Sequence, residues 1–196
     1  MAMTEKEKML GGQPYDCGDA ELLAQWHKAK NLIRDYNRAD SNDLAFKNHI
    51  LDLLLGGRGE NLWITAPFYV DYGNNIYFGN NCEVNMNCIF LDDHKIVIGD
   101  NALIAPNVQI YTAYHPTNAK DRFREAQNNG GFAFFQNIAS PVSVGNNVWI
   151  GGGAIIMPGV TIGDNSVIGA GSVVTKNIPD NVVAVGNPCR VLRENK

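Results

Sequence analysis

The sequence predicts a mainly β fold: a parallel β-helix of hexapeptide repeats with an N-terminal α-helical cap and one extruded loop. Three observations carry this. Aliphatic residues recur every six positions at Val144, Ile150, Ile156, Ile162, Ile168 and Val174, each followed four positions later by Val148, Ala154, Val160, Ser166, Ser172 and Ile178. The triplets "GNN" and "GDN" recur inside this beat, and Gly, Asn and Asp are turn formers that accept left-handed backbone. The beat is absent from the first third of the chain and is broken between residues 117 and 140. A six-residue period does not fit the 3.6-residue helical turn, and short hexads in series are the mark of a parallel β-helix.

The N-terminal third is rich in Lys, Glu, Leu and Ala. In "DAELLAQWHKAKNLIRDYNRA", Leu22, Leu23, Trp26, Ala29, Ile33 and Tyr36 fall near helical spacing, with Asp19 as the cap. A second helix reads from about Asn42 to Leu55, opened by "DSND" and stopped by "GGRG". The two helices form a cap or arm over residues 1–60, with no residue of catalytic appearance, and residues 61–196 form the β-helix domain.

In the solenoid, a small or branched apolar residue at the first site of each hexad points into a narrow interior, and the small second residue lets the chain turn. Three hexads make one triangular coil, so residues 18 apart stack at about 4.8 Å: Val144 under Ile162, Ile150 under Ile168. Ile98, Ile104 and Ile110, with Ala102 and Val108 at the second site, keep the period. Val70, Ile76, Cys82 and Cys88 continue it less cleanly, which places both cysteines at inward first sites as small hydrophobes. The segment 117–140, charged at one end and carrying Phe132, Phe134 and Phe135 at the other, is a loop extruded between two coils.

A chain of 196 residues, 45% hydrophobic and 18% charged, builds one core with a small appendage. The net charge of −4 and pI near 5.5 give no broad attraction for nucleic acid or an anionic membrane. No apolar run approaches the roughly 20 residues of a membrane span, and the charged start "MAMTEKEKMLGG" is unlike a signal peptide, so the expected location is cytoplasmic. Cys17, Cys82, Cys88 and Cys189 show no C-x-x-C pair and no disulfide framework.

The beat stops in "QIYTAYHPTNAKDRF". His115 stands where a coil ends and a loop begins, and Pro116 disfavours helix at the histidine. Such a histidine is either an unpartnered loop residue or an exposed general base, for which an unperturbed pKa near 6.5 is suited. His27 and His49 lie on the predicted helices, solvated or packed. "DDH" at His94 has cation-binding residue types, but a zinc site needs three or four convergent ligands.

The hexads, "IGDNALIAPNVQIYTAYHP", "VGNNVWIGGGAIIMPGVTIGDNSVIGAGSVVTKNIP", the ending "VGNPCRV" and the opening "EKEKMLGGQPYDCGDAEL" together resemble the maltose and galactoside O-acetyltransferases, within the left-handed β-helix acyltransferase superfamily. The resemblance implies a homotrimer with active sites between subunits and direct acetyl transfer from acetyl-CoA, without metal, to a hydroxyl of a sugar or glycoside. It makes His115 the general base and Asn85 the donor to the developing oxyanion. It implies acceptor binding by Asp16, Asp71, Glu83 and Asp93, although position 71 is often uncharged and position 83 often aromatic in relatives.

For coenzyme A the resemblance implies Trp149, Gly152, Ala170, Thr175, Lys176, Arg190 and Arg193, with Gly152 where relatives often carry Ser. The loop after His115 is longer and more aromatic than in relatives, and is expected to fold over the acceptor pocket. The competing readings are acetylation of a non-sugar hydroxyl, a metal-dependent hydratase, which would need clustered histidines, and a purely structural or binding solenoid.

Overall fold

The computed structural model describes residues 2–123 and 134–196. Its body is a parallel solenoid with three faces. The first face stacks Gly57–Arg58, Ile76–Phe78, Ile96–Ile98, Val142–Val144 and Thr161–Ile162. The second stacks Trp63–Ile64, Glu83–Val84, Leu103–Ile104, Trp149–Ile150, Val167–Ile168 and Val182–Val185, and ends in an antiparallel strand, Arg190–Glu194. The third stacks Phe68–Val70, Cys88–Leu91, Gln109–Tyr111, Ile155–Ile156 and Val173–Val174. Inward residues form unbroken columns; Val70, Phe90, Ile110, Ile156 and Val174 are all essentially inaccessible. Val144 pairs with Ile162 and Ile150 with Ile168, the 18-residue stacking that the hexads predict.

The corner between faces one and two is locked by side chains. Asn61, Asn81, Asn101, Asn147, Asn165 and Asn181 all take φ near +57°, a conformation Asn tolerates better than other non-glycine residues. Each amide donates to the next along the column at 2.9–3.1 Å. Beside them Asn80, Asp100, Asn146, Asp164 and Asp180 each accept a main-chain N–H from the preceding coil. The "GNN" and "GDN" triplets at 79–81, 99–101, 145–147 and 163–165 are these two adjoining ladders.

The corner between faces three and one departs from the hexad rule. In the first coils it spans residues 71–75 and 92–95, so partners lie 20 apart, as in Ile76 with Ile96 and Phe68 with Cys88. This corrects the placement of Ile76, Cys82 and Cys88 as first sites. The columns show the first sites of this region to be Val70, Phe78, Val84, Phe90, Ile98 and Ile104. Cys82 and Cys88 are buried at second sites, four residues after Phe78 and Val84, with their thiols against the carbonyls of Gly99 and Ala105. The wide corners break the beat because their additional residues are polar.

Ahead of the solenoid come α1 (Glu5–Leu10), α2 (Ala20–Arg38) and α3 (Leu44–Leu54); α2 packs on α3 and on the first-coil strand Phe68–Val70, whereas α1 lies against α2 and the strand Ile138–Ala139. Asp19 and Asp43 cap α2 and α3 as the residue types require. The short α1 is an addition to the two predicted helices, and its capping box, Thr4 with Glu7, was readable in "TEKE". Tyr36 donates to the Ile64 carbonyl at 2.6 Å, and Asn37 bonds the N–H and carbonyl of Phe68 at 2.9 Å each, which blunts the open coil edge. No helix among the described residues is long and apolar enough to cross a membrane.

The third coil opens its wide corner into the loop. Ala113–Tyr114 pairs antiparallel with Ile138–Ala139, and α4 (Ala119–Arg122) follows the outgoing limb. Phe123 bridges Phe135, and Asn137 bridges Tyr15 of the arm. Phe132 lies outside the described residues.

Candidate active site

Three successive wide corners lie on one edge of the solenoid, and they collect the polar residues that the hexads cannot hold. Asp92 is fully buried there; its carboxylate accepts the N–H groups of Asp71, Tyr72 and Asn75 at 3.0, 2.9 and 3.3 Å, and so shapes the corner beneath. Burial pushes its pKa up to about 7, although main-chain N–H donors pull the other way. Asp93, next to it, is 6% exposed and points into a cavity of ≈ 490 Å³ lined also by Cys17, Leu23, Trp26, Asp71, Tyr72 and Asn137.

The two carboxylates of that cavity are each held by one oxygen. Tyr15 donates to Asp93 Oδ1 at 2.5 Å, while Asp93 Oδ2 is enclosed and has no partner among the described residues. Burial, with the charge of Asp71 beside it, raises the Asp93 pKa to about 6, and burial keeps the Tyr15 phenol protonated far above its ordinary range. Asp71 Oδ1 takes Lys30 Nζ at 2.9 Å and Trp26 Nε1 at 3.3 Å. Asp16 lies in the arm next to Tyr15; its carboxylate accepts Gly18 N–H at 2.9 Å.

His115 is exposed at the mouth of the third wide corner. Its Nδ1 lies 2.9 Å from the Gln136 carbonyl, and its ring packs edge-on against Phe135 at 5.3 Å between centroids. The returning limb connects it to the cavity: Gln136 precedes Asn137, whose carbonyl accepts Tyr15 N–H at 3.1 Å. Phe134 stacks on Phe123 at 6.4 Å, and both are exposed beside this limb.

The other candidates occupy a different edge. Asn85 follows the second-face strand Glu83–Val84; its Oδ1 accepts Met86 N–H at 2.9 Å and its Nδ2 makes only a 3.5 Å contact to Glu83. Glu83 is exposed on the second face, in the same row as Trp63, Leu103 and Trp149. Gly152 and Ala170 lie on stacked corners between faces two and three, and their N–H groups donate to nothing among the described residues. Arg190 and Arg193 are exposed on the last strand of the second face, whereas Thr175 and Lys176 are exposed on the edge that carries His115. Between Asn85 and the His115 edge lies a third-face strand of four residues, about 13 Å long.

One chain thus gathers Asp16, Asp71, Asp93 and His115 on one side, and Asn85, Glu83, Trp149, Gly152 and Ala170 on the other. The helical arm, in which the sequence shows no residue of catalytic appearance beyond the acceptor candidate Asp16, also supplies Leu23, Trp26, His27 and Lys30 of α2, which wall the cavity or bond its carboxylates. Tyr15, Lys30, Asp92 and Asn137 had no periodic signal to announce them, and Trp26 was marked only as part of the apolar stripe of α2. His94 is turned away, its Nδ1 accepting Lys95 N–H at 2.7 Å. Among the described residues no three His, Cys, Asp or Glu side chains converge as a metal site.

A hexad solenoid with a carboxylate-lined cavity and a histidine on its one irregular edge defines a transferase of the hexapeptide-repeat class. Residues 141–176 match the bacterial transferase hexapeptide (six repeats) and residues 8–59 the maltose acetyltransferase hexapeptide capping motif. The galactoside O-acetyltransferase of Escherichia coli K12 is 45% identical over 99% of this chain and 91% of its own. A maltose O-acetyltransferase from Clostridium difficile 630 superposes with a TM-score of 0.91 at 50% identity, covering all of both chains. A galactoside acetyltransferase in complex with coenzyme A superposes at 0.90 with 38% identity, over 100% of this chain and 92% of that one. The chain belongs to the hexapeptide-repeat acetyltransferases that carry the maltose acetyltransferase cap, and its fold is their left-handed parallel β-helix.

Proposed function

We propose that the protein transfers the acetyl group of acetyl-CoA to a hydroxyl of a sugar or glycoside, with His115 as general base. The observation that carries this is the His115–Gln136 hydrogen bond. A carbonyl oxygen only accepts, so Nδ1 bears the proton of the neutral ring and Nε2 keeps its lone pair. His115 Nε2 takes the hydroxyl proton as the oxygen attacks the thioester carbon and returns a proton to the departing sulfur. Asn85 Nδ2 donates to the thioester oxygen as negative charge gathers on it. Asp93 and Asp71, with Asp16 and Glu83 at the margins, accept neighbouring hydroxyls of the acceptor.

Coenzyme A fits the second-face edge on the chemistry of its donors. The N–H groups of Gly152 and Ala170 stand 18 residues apart on stacked coils, open to the amides of the pantetheine arm, with Trp149 flanking them. Thr175, Lys176, Arg190 and Arg193 supply polar and basic groups toward the C-terminal end for the phosphates. The exposed Trp63, Leu103 and Trp149 in one row support burial of this face against a second copy.

Placement of His115 and Asn85 on separate edges favours a trimer in which one subunit's base meets its neighbour's amide. The aromatic limb Phe134–Phe135 beside His115 supports its assignment as a wall of the acceptor site, and the chemistry belongs in the cytoplasm, where acetyl-CoA is made and used. Replacement of His115 by Ala tests the reading: acetyl transfer at the original rate by the folded variant rules it out.

A further inference from the structure

Lys30 reaches from α2 into the wide corner. Its Nζ lies 2.9 Å from Asp71 Oδ1, donates also to the Val70 carbonyl, and sits 4.8 Å from the centroid of the Trp26 ring. Trp26 Nε1 donates to the same Asp71 oxygen at 3.3 Å. Both donors use one oxygen, so Asp71 Oδ2 accepts nothing from the described residues, just as Asp93 Oδ2 accepts nothing on the far side of the cavity. Two carboxylates thus line one apolar-walled cavity, each tethered by one oxygen, the second oxygen of Asp71 unbonded and that of Asp93 enclosed, with Lys30 as the ammonium group that the described residues place against them.

We propose that Lys30 is a positioning residue for the acceptor: it anchors Asp71 by one oxygen, so that the other can meet an acceptor hydroxyl, and it offsets the charge that Asp71 sets against the enclosed carboxylate of Asp93. This rests on the acetyl-transfer reading above. The groups that act on Asp93 are Tyr15 and Cys17 from the arm, Asp71, Tyr72 and Asp92 from the corners, and Lys30 from α2, with His27 lining the same cavity. Asp71 raises the Asp93 pKa and Lys30 lowers it. Loss of the ammonium group removes the lowering influence and leaves Asp71 unopposed, so Asp93 stays protonated to a higher pH. The protonated carboxyl is a weaker acceptor for the Tyr15 hydroxyl, and the wall of the cavity that this bond fixes loosens.

The test compares wild type, Lys30→Met and Lys30→Arg by coenzyme A release, with maltose and methyl β-D-galactoside as acceptors and a thermal melt to verify folding. In Lys30→Met the acceptor KM rises about tenfold, the scale of one charge-assisted hydrogen bond. The KM for acetyl-CoA stays within about twofold, and the acidic limb of kcat/KM for the acceptor moves to higher pH. Lys30→Arg returns both values toward wild type. A folded Lys30→Met enzyme with unchanged acceptor KM and unchanged limb overturns the proposal, as does an equal rise in both KM values. A wild type that releases no coenzyme A with either acceptor overturns the acetyl-transfer reading and this inference together.

Discussion

The imidazole of His115 is tied by Nδ1 to the carbonyl of Gln136 at 2.9 Å, two residues before the strand that returns the loop to the solenoid. The imidazole is therefore held by main chain, and among the described residues no side chain hydrogen-bonds it. Replacement of His115 by Ala should lower kcat by roughly 10²- to 10⁴-fold while acetyl-CoA still binds. Steady-state kinetics beside calorimetric titration with coenzyme A checks both halves of that expectation.

Asn85 is expected to act on rate more than on acceptor affinity, because its donor faces charge that appears only in the transition state. Asn85→Ala should cost about 10²- to 10³-fold in kcat. If base and amide come from different subunits, refolding His115→Ala and Asn85→Ala chains together should restore part of the activity, since a mixed trimer contains an interface with both groups intact. No recovery in verified mixed trimers would place both groups within one subunit.

Asp93 should hold acceptor at the expense of stability. A free aspartate titrates near 3.9, whereas burial holds this one up to about 6. The folded state therefore binds the proton more tightly than the unfolded chain, and the native state loses stability as pH rises from about 4 through 6. Asp93→Asn keeps an oxygen for the Tyr15 hydroxyl and removes the buried charge. Thermal midpoints should rise at pH 8, by on the order of 2 kcal/mol, with the gain gone by pH 4 and the acceptor KM increased. Equal midpoints at pH 8 would count against the assignment.

Asn147 tests the corner ladder. It combines φ of +57° with side-chain bonds to Asn101 and Asn165. Asn147→Ala should cost about 3–4 kcal/mol, from left-handed strain of roughly 1–2 and two hydrogen bonds of about 1 each. Asn147→Gly keeps the backbone freedom and should cost less; chemical denaturation of the pair separates the two contributions.

The sequence made the columns legible and left the site largely illegible, for one physical reason. Periodicity reports residues that repeat, and Val144, Ile150 and Ile156 repeat because each fills the same inward position. Asp71, Asp92 and Asp93 lie in corners that depart from the repeat, so the six-residue count slid past them and misplaced Cys82 and Cys88. Tyr15 and Asp93, 78 positions apart, meet only because the arm folds across two coils. His115 was visible since the beat stops at it, whereas Lys30 looked like ordinary helix surface and Trp26 like one more member of the apolar stripe of α2. The small α1 escaped because six residues are too few to show a period, although its capping box was in plain sight.

The corner between faces three and one has absorbed two additional residues in each of two coils and a whole loop in the third, and the inward columns run through all of them without a break. The asparagine corner has less latitude, because a residue inserted there would unhook that coil's amide from its neighbours on both sides. Diversification is thereby confined to one seam of the prism. A lineage with this architecture can recut that seam while inheriting its coil pitch, and the asparagine corner that pitch sets, unaltered.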